Sequence, residues 1–371
     1  MAFGLFKKKQ TEKSDIPAVK TGHFNLKVKE VVNETADAIS IHFEQPDSGK
    51  ISYKSGQFFT LIVDIKGKQE RRAYSLCTSP FVDDNPAVTV KRVDGGLMSN
   101  HLGDNLKAGD VLEVMEPIGN FTTNLNASNE RHIVLFGGGS GITPLMSITK
   151  SVLSQEPNSK VSLIYANRDT DSIIFKAALE KLESDNQDRF KVVHVLGEAP
   201  SEWKGYTGIL TEGIIKESLN SLPQVSVDKT EFFMCGPGPM MDIVEASLSN
   251  LGIAKGQVHK ESFTTGTDKK EAADVANQAL TAREVTVIYD GEEYKYMVKP
   301  DETILERGLE EDIDLPFSCQ SGLCTACRGK CLSGKVRMDE EEGLSEAELD
   351  EGYVLPCVSH PLTDGVVIEI G

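Results

Sequence analysis

The chain has 371 residues, enough for two or three domains with separate cores, and its composition is that of an ordinary globular protein. No apolar run approaches the roughly 18 residues of a membrane helix, and at a net charge of −18 no nucleic-acid partner is expected. Seven cysteines, an odd number with four in a metal-type spacing, exclude a disulfide framework and fit a reducing, cytoplasmic setting.

The chain opens with MAFGLFKKKQ, whose charges follow a very short apolar stretch, the reverse of a secretory signal. Residues 1–20 are expected to be a flexible basic tail and not a membrane anchor. Residues 21–127 then read as short strands with Gly and Asp between them, among them HFNLKVKEVV, AISIHFEQP, GQFFTLIVDI, RRAYSLCTS, AVTVKRV and VLEVMEPIG. That texture predicts an antiparallel β-barrel. Inside it, Arg72-Ala73-Tyr74-Ser75 ends a strand with a guanidinium for a diphosphate, a ring that can stack and a hydroxyl that can bond. Further on, Val90 and Lys91 lead into Gly95-Gly96-Leu97-Met98-Ser99, two glycines and a Ser opening a short helix, a second phosphate-type site.

From 128 to 263 strands alternate with helices. HIVLF, VSLIYA, FKVVHVL and TEFFMCG are strand-like, whereas LMSITKSVLSQ, IIFKAALEKLES and PMMDIVEASLSNLG carry a helical period. The pattern predicts an α/β domain on a mainly parallel sheet. HIVLF runs into Gly137-Gly138-Gly139-Ser140-Gly141-Ile142-Thr143-Pro144 and a helix, where glycines let backbone approach a pyrophosphate and helix N–H groups face it. Ala166-Asn167-Arg168 follows the next strand. An Arg there pairs with a 2′-phosphate and leans toward NADPH, against which stand the nearby Asp169 and Asp171. Cys235-Gly236-Pro237-Gly238-Pro239-Met240 ends a later strand in a tight turn, either presenting Cys235 to a ligand or leaving it a buried thiol.

Residues 264–282 are polar and Ala-rich and read as a linker. From 283 to 371 a β-rich module begins with a hairpin turning at Asp290-Gly291, continues with a short helix near TILERGLEE and reaches PFSCQSGLCTACRGKC. Cys319, Cys324 and Cys327, with Cys357 beyond 29 intervening residues, form C-x4-C-x2-C…C, the plant-type ferredoxin spacing for a [2Fe–2S] cluster. A zinc-binding interaction module is the non-enzymatic alternative, but zinc sites favour paired C-x2-C units. Cys331 falls outside the pattern as a small packed residue or an extra ligand. This segment holds 8 of the 39 Lys+Arg and 21 of the 57 Asp+Glu, a net of −13. The charge serves solubility or marks a docking face for a basic partner.

R-x-Y-S, G-G-x-M-S, G-x-G-x-x-P and C-G-P-x-x-M, in this order over residues 22–263, resemble the ferredoxin–NADP reductase superfamily. With the C-terminal module added, the layout resembles the FAD–NAD(P)–[2Fe–2S] reductases, in particular the reductase subunit of phenylacetyl-CoA epoxidase and related oxygenase reductases. The implied fold is a β-barrel for FAD, an α/β domain for NAD(P) and a β-grasp ferredoxin domain. The resemblance places Arg72, Ala73, Tyr74, Ser75, Val90, Lys91, Gly96, Met98 and Ser99 on FAD. It sets Gly139, Gly141, Thr143 and Pro144 along NADPH or NADH, with Thr143 also near the flavin and Cys235 near the nicotinamide C4; Asn167, Arg168, Gly236 and Pro237 are further dinucleotide-binding candidates. Ser75, Cys235 and Glu261 would shape hydride transfer, and Phe263 would face the flavin ring or move aside for the domain that follows. The implied activity is hydride transfer to FAD, single-electron transfer to the cluster and delivery to an electron-accepting protein. An oxygenase or epoxidase component with a basic docking surface comes first; hybrid-cluster, desaturase and haem partners are alternatives.

Overall fold

The computed structural model describes residues 23–263 and 281–370, apart from 224, 321, 323, 342 and 345. The 1–20 tail and most of the 264–282 linker lie outside the described residues.

The N-terminal strands are β1 (His23–Thr35), β2 (Ala38–Phe43), β3 (Phe58–Ile65), β4 (Lys68–Ser75), β5 (Ala87–Lys91) and β6 (Val111–Met115). They pair antiparallel in the order β4-β3-β6-β1-β2-β5, and a bridge from Leu76 to Val88 brings the outer strands together as a barrel. The alternation of the sequence is kept: in β1, Leu26 and Val28 are buried while Asn25, Lys27 and Lys29 face out. Helix α1 (Leu97–Asn105) follows β5 and buries Met98 and Leu102 against the barrel core.

The second unit alternates as its periodicity requires. Strands β7 (His132–Gly138), β8 (Lys160–Asn167), β9 (Phe190–Leu196), β10 (Tyr206–Thr207), β11 (Thr230–Cys235) and β12 (Val258–Glu261) form one parallel sheet, in the order β10-β9-β8-β7-β11-β12. α2 (Ile142–Gln155) and α3 (Lys176–Asp185) cover one face; α4 (Glu212–Ser221) and α5 (Gly238–Asn250) cover the other. The sheet therefore reverses its winding between β7 and β11, the crevice where ligands of such sheets bind. Sequence periodicity does not single out α4 or β12. α4 buries only Ile215 and Ser218, and β12 is a four-residue polar edge strand, VHKE.

In the C-terminal unit β13 (Arg283–Tyr289) and β14 (Glu292–Val298) make the expected hairpin. Asp290 and Gly291 have φ of +51° and +79°, the paired positive values a type I′ turn needs. Helix α6 (Ile304–Glu310) starts with a capping box, Thr303 accepting from the Glu306 N–H and Glu306 reaching back to the Thr303 N–H. Its Ile304 and Leu305 cover a sheet of order β14-β13-β19-β15-β17, where β15 is Gly329–Ser333, β17 Tyr353–Val354 and β19 Val366–Ile370. β16 (Val336–Met338) and β18 (Ser359–Pro361) pair beside it. A hairpin and a parallel returning strand packed on one helix make the β-grasp arrangement. Among the described residues no helix is long and apolar enough to cross a membrane.

Candidate functional site

At the switch point two loops interlock. β7 ends in Gly137-Gly138, a turn of 3-10 helix spans Gly139–Gly141, and α2 begins; β11 ends at Cys235, and Gly236-Pro237 starts α5. A Cβ on Gly141 would stand 2.0 Å from the Cys235 carbonyl oxygen, and one on Gly138 would meet Pro237 at 2.6 Å and the Met240 sulfur at 2.8 Å. These glycines thus seat one loop on the other, a packing reason beyond the close approach of a phosphate. Gly139, at φ +51°, is the one left open, with only Lys91 Nζ within 4 Å of such a Cβ. Pro144 lies in the first turn of α2, and the Thr143 hydroxyl donates to the Ser140 carbonyl at 3.0 Å.

In front of these loops lies a pocket of about 450 Å³, lined among others by Gly138, Gly139, Asn167, Arg168, Pro237 and Met240. Its size suits a nucleotide portion. Asn167 lies beside the Tyr165 hydroxyl, yet neither of its amide atoms makes a well-formed hydrogen bond and both are buried. Such an unsatisfied pair calls for a polar ligand, so the pocket fits a dinucleotide. Arg168 is exposed at the rim and pairs with Asp169 at 2.8 Å. Asp169 is occupied otherwise, accepting from the Asp171 and Ser172 N–H groups as the cap of a short helical turn. The Arg168 ion pair and hydrogen bond hold the Asp169 carboxyl down at about 2. Lys91, placed on the flavin by resemblance, lines this same pocket.

On the barrel side, Tyr74 is half-buried against the core and Ser75 is buried. Arg72 turns to Glu70 at 3.3 Å and donates to the Arg71 carbonyl. Val90 and Met98 are core residues, and the Ser99 hydroxyl accepts from the Val93 N–H at 3.1 Å, so these three would meet a cofactor through backbone. α1 has no capping side chain at Gly96 and no acid in its first turn, which leaves its leading N–H groups open as an FAD diphosphate requires.

Between the two sides, Ser75 Oγ donates to Glu261 Oε2 at 3.3 Å, and Glu261 stands opposite Cys235 in the β11–β12 register. The structure thus gathers Ser75, Cys235 and Glu261. Cys235 is 0% exposed, a thiol sealed in the core and not an open one; burial, then the Glu261 charge, pushes its pKa well up. Burial raises Glu261 to about 8, and Cys319 adds to the rise from across the domain boundary. Phe263, two residues on, is exposed.

Cys324 and Cys357 each share a hydrogen bond with Cys319, and Cys357 also with Cys327; these contacts, followed by burial, raise both thiols well above their ordinary range. Four thiols in contact are the donor set for a cluster with two thiolates on each of two irons. Among the described residues no three ligating side chains are grouped around a single-ion position. Cys331 turns elsewhere, its thiol donating to the Ser333 carbonyl at 3.3 Å. The cluster loop rests on the barrel. The Ser318 and Thr60 hydroxyls are hydrogen-bonded, and Thr60 stands opposite Ala73 in the β3–β4 register.

The barrel matches the oxidoreductase FAD-binding domain over residues 23–123, the parallel sheet the oxidoreductase NAD-binding domain over 135–246, and the third unit the 2Fe-2S iron-sulfur cluster binding domain over 287–362. The protein is therefore an oxidoreductase that binds FAD, a nicotinamide dinucleotide and a [2Fe–2S] cluster. Its sequence is 39% identical to the ferredoxin reductase component of 3-ketosteroid-9-alpha-monooxygenase from Rhodococcus rhodochrous, over 93% of this chain and 96% of that protein. It is 34% identical to a subunit of 1,2-phenylacetyl-CoA epoxidase from Escherichia coli K12, over 94% and 98%. The fold is shared with phthalate dioxygenase reductase at a TM-score of 0.59 and 22% identity, over 94% of this chain and 98% of that one. The chain belongs to the ferredoxin–NADP reductase superfamily, among the reductases that end in a plant-type [2Fe–2S] domain.

Proposed function

We propose that this reductase takes electrons from NADPH and delivers them singly to a separate oxygenase component. Bound FAD supplies the conversion between a two-electron hydride donor and a one-electron cluster. The chain's own part is positioning. Gly139, Gly141, Thr143, Pro144, Asn167, Arg168, Gly236 and Pro237 hold the dinucleotide, and Arg72, Ala73, Tyr74, Ser75, Val90, Lys91, Gly96, Met98, Ser99 and Phe263 hold the flavin. Ser75, Cys235 and Glu261 line the junction between them. Burial raises the pKa of both Glu261 and Cys235, which disfavours negative charge at this junction. Cys319, Cys324, Cys327 and Cys357 bind the cluster.

The observation that carries this reading is the Thr60–Ser318 contact, which sets the residue before the first cluster ligand on β3, directly opposite Ala73 of the strand that would hold the flavin. The domain limits proposed are 21–127, 128–263 and 283–371. The Rhodococcus relative is the reductase component of a monooxygenase and the Escherichia relative belongs to an epoxidase, which supports an oxygenase acceptor; the −13 charge of the third unit supports a basic docking surface on it. A cytoplasmic location accords with cluster chemistry on free thiols.

Anaerobic titration with NADPH and with NADH tests the reading: flavin absorbance falls first and cluster absorbance follows. Arg168→Ala is expected to cut preference for NADPH over NADH about tenfold, the worth of one charge-assisted phosphate contact. An unchanged preference discards the role of Arg168.

A further inference from the structure

β4 carries two adjacent arginines, and strand alternation sends them to opposite faces. Arg72 and Tyr74 stand opposite Leu61 and Phe59, whose side chains are core, so they share the barrel side. Arg71 and Ala73 stand opposite Ile62 and Thr60, and Thr60 is the residue bonded to Ser318; Arg71 therefore shares the ferredoxin side. There its side chain is only 7% exposed. Its guanidinium donates to Asp314 at 3.0 Å and to Gln69 at 3.0 Å, and lies 4.8 Å above the Phe317 ring. Phe317, Ser318 and Cys319 are consecutive, so the arginine grips the loop two residues before the first cluster ligand.

We propose that Arg71 is the positioning residue that seats the cluster loop against the flavin strand and so governs electron transfer from flavin to cluster within the chain. The physical case rests on desolvation. A guanidinium this buried needs its partners, and two of the three belong to the ferredoxin unit. Lifting that unit away strips Arg71 of its carboxylate and its ring together. A groove of about 750 Å³ continues this contact; its barrel wall carries Lys68, Arg72 and the Glu70 with which both pair, and Glu310 and Asp312 stand on the other wall. A second grip, Asn120 Nδ2 donating to the Gly343 carbonyl at 3.1 Å, holds a later loop whose Gly343 N–H donates to the Gly322 carbonyl of the cluster loop, and carries no charge. Asp314 is 61% exposed, so the ion pair is open to screening by salt.

This inference rests on the reductase reading, and the test separates the two. Holoenzyme, Arg71→Ala, Arg71→Lys and Asp314→Asn are mixed anaerobically with NADPH or NADH, and flavin reduction and cluster bleaching are followed separately. Small-angle scattering of the same oxidised samples, at low and high salt, reports how compact the domains are. Flavin reduction is expected to stay within about twofold of wild type. Cluster bleaching should slow about tenfold in Arg71→Ala and about threefold in Asp314→Asn, with Arg71→Lys between, as expected from losing a cation–π contact with an ion pair, or the ion pair alone. The radius of gyration should rise in Arg71→Ala, and in wild type at high salt. Asp314→Asn leaves β4 untouched, so slowed bleaching there supports the proposal even where Arg71→Ala loses flavin. Wild-type bleaching rates and unchanged scattering in both variants overturn it. Absence of flavin reduction in wild type itself would instead overturn the reductase reading.

Discussion

The barrel meets its two neighbours through seams of opposite character. Against the nucleotide unit, α2 lays Ser147, Lys150 and Ser151 on the barrel. Ser151 accepts from Ser55 at 2.5 Å and donates to Ser79 at 2.7 Å, Ser147 donates to the Thr78 carbonyl at 2.6 Å, and Lys150 pairs with Asp83 at 3.1 Å. Phe121 joins Ile148 in one core that runs across this boundary. Against the ferredoxin unit, the contacts among the described residues include the Arg71 guanidinium on Asp314 and Phe317, the Thr60 and Ser318 hydroxyls and the Asn120 amide. The first seam is continuous with a hydrophobic core shared by the flavin and nicotinamide units. The second is a largely polar contact with charge at its rim.

The comparison breaks most completely at the cluster. Cys357→Ser should abolish the visible iron–sulfur spectrum and loosen the Ser318 loop, while flavin absorbance is kept; Cys331→Ser should leave both spectra as in wild type. Loss of the spectrum in Cys331→Ser alone would reverse the ligand assignment. Next in size, Ser151→Leu forces an apolar side chain between two buried serines. It should cost about 2–4 kcal/mol in urea unfolding of the first two units, through overpacking and two lost hydrogen bonds. The Arg71 variants should change that unfolding less than Ser151→Leu does, since the second seam lies outside this core.

The smallest effect is a pH slope. Glu261 binds its proton more tightly folded, with a pKa of about 8, than unfolded, where it returns to the ordinary carboxylate range. Between those limits the folded chain holds the extra proton. Its contribution to stability is therefore fully present in acid and lost as pH rises through about 8. Glu261→Gln should flatten that part of the profile when urea midpoints are compared from about pH 5 to about pH 9. An unaltered slope would remove Glu261 as its source.

The local chemistry was legible along the chain. Alternation in β1, the apolar run of β3, the helical period of α2 and α5, the Asp290-Gly291 turn and the cysteine spacing each depend on neighbours a few residues apart, and each is seen in the fold. Short polar pieces such as β12 were not legible, because an edge strand paired on one side leaves little hydrophobic signature. The sequence left Cys235 either presented to a ligand or buried as a thiol; the choice between them depends on Gly141 packing against its carbonyl from another βα turn.

By itself the sequence determined that three carrier sites exist and in what order they lie, since each is a compact motif whose residue types dictate its chemistry. Their mutual placement was decided only by tertiary structure. Ser75 meets Glu261 across 186 positions, Thr60 meets Ser318 across 258 and Arg71 meets Asp314 across 243. No local pattern encodes such pairings. The two arginines of β4 show the reason most plainly: identical neighbours in sequence, they are sent by strand alternation to different partners, one to the barrel side and one to the cluster loop.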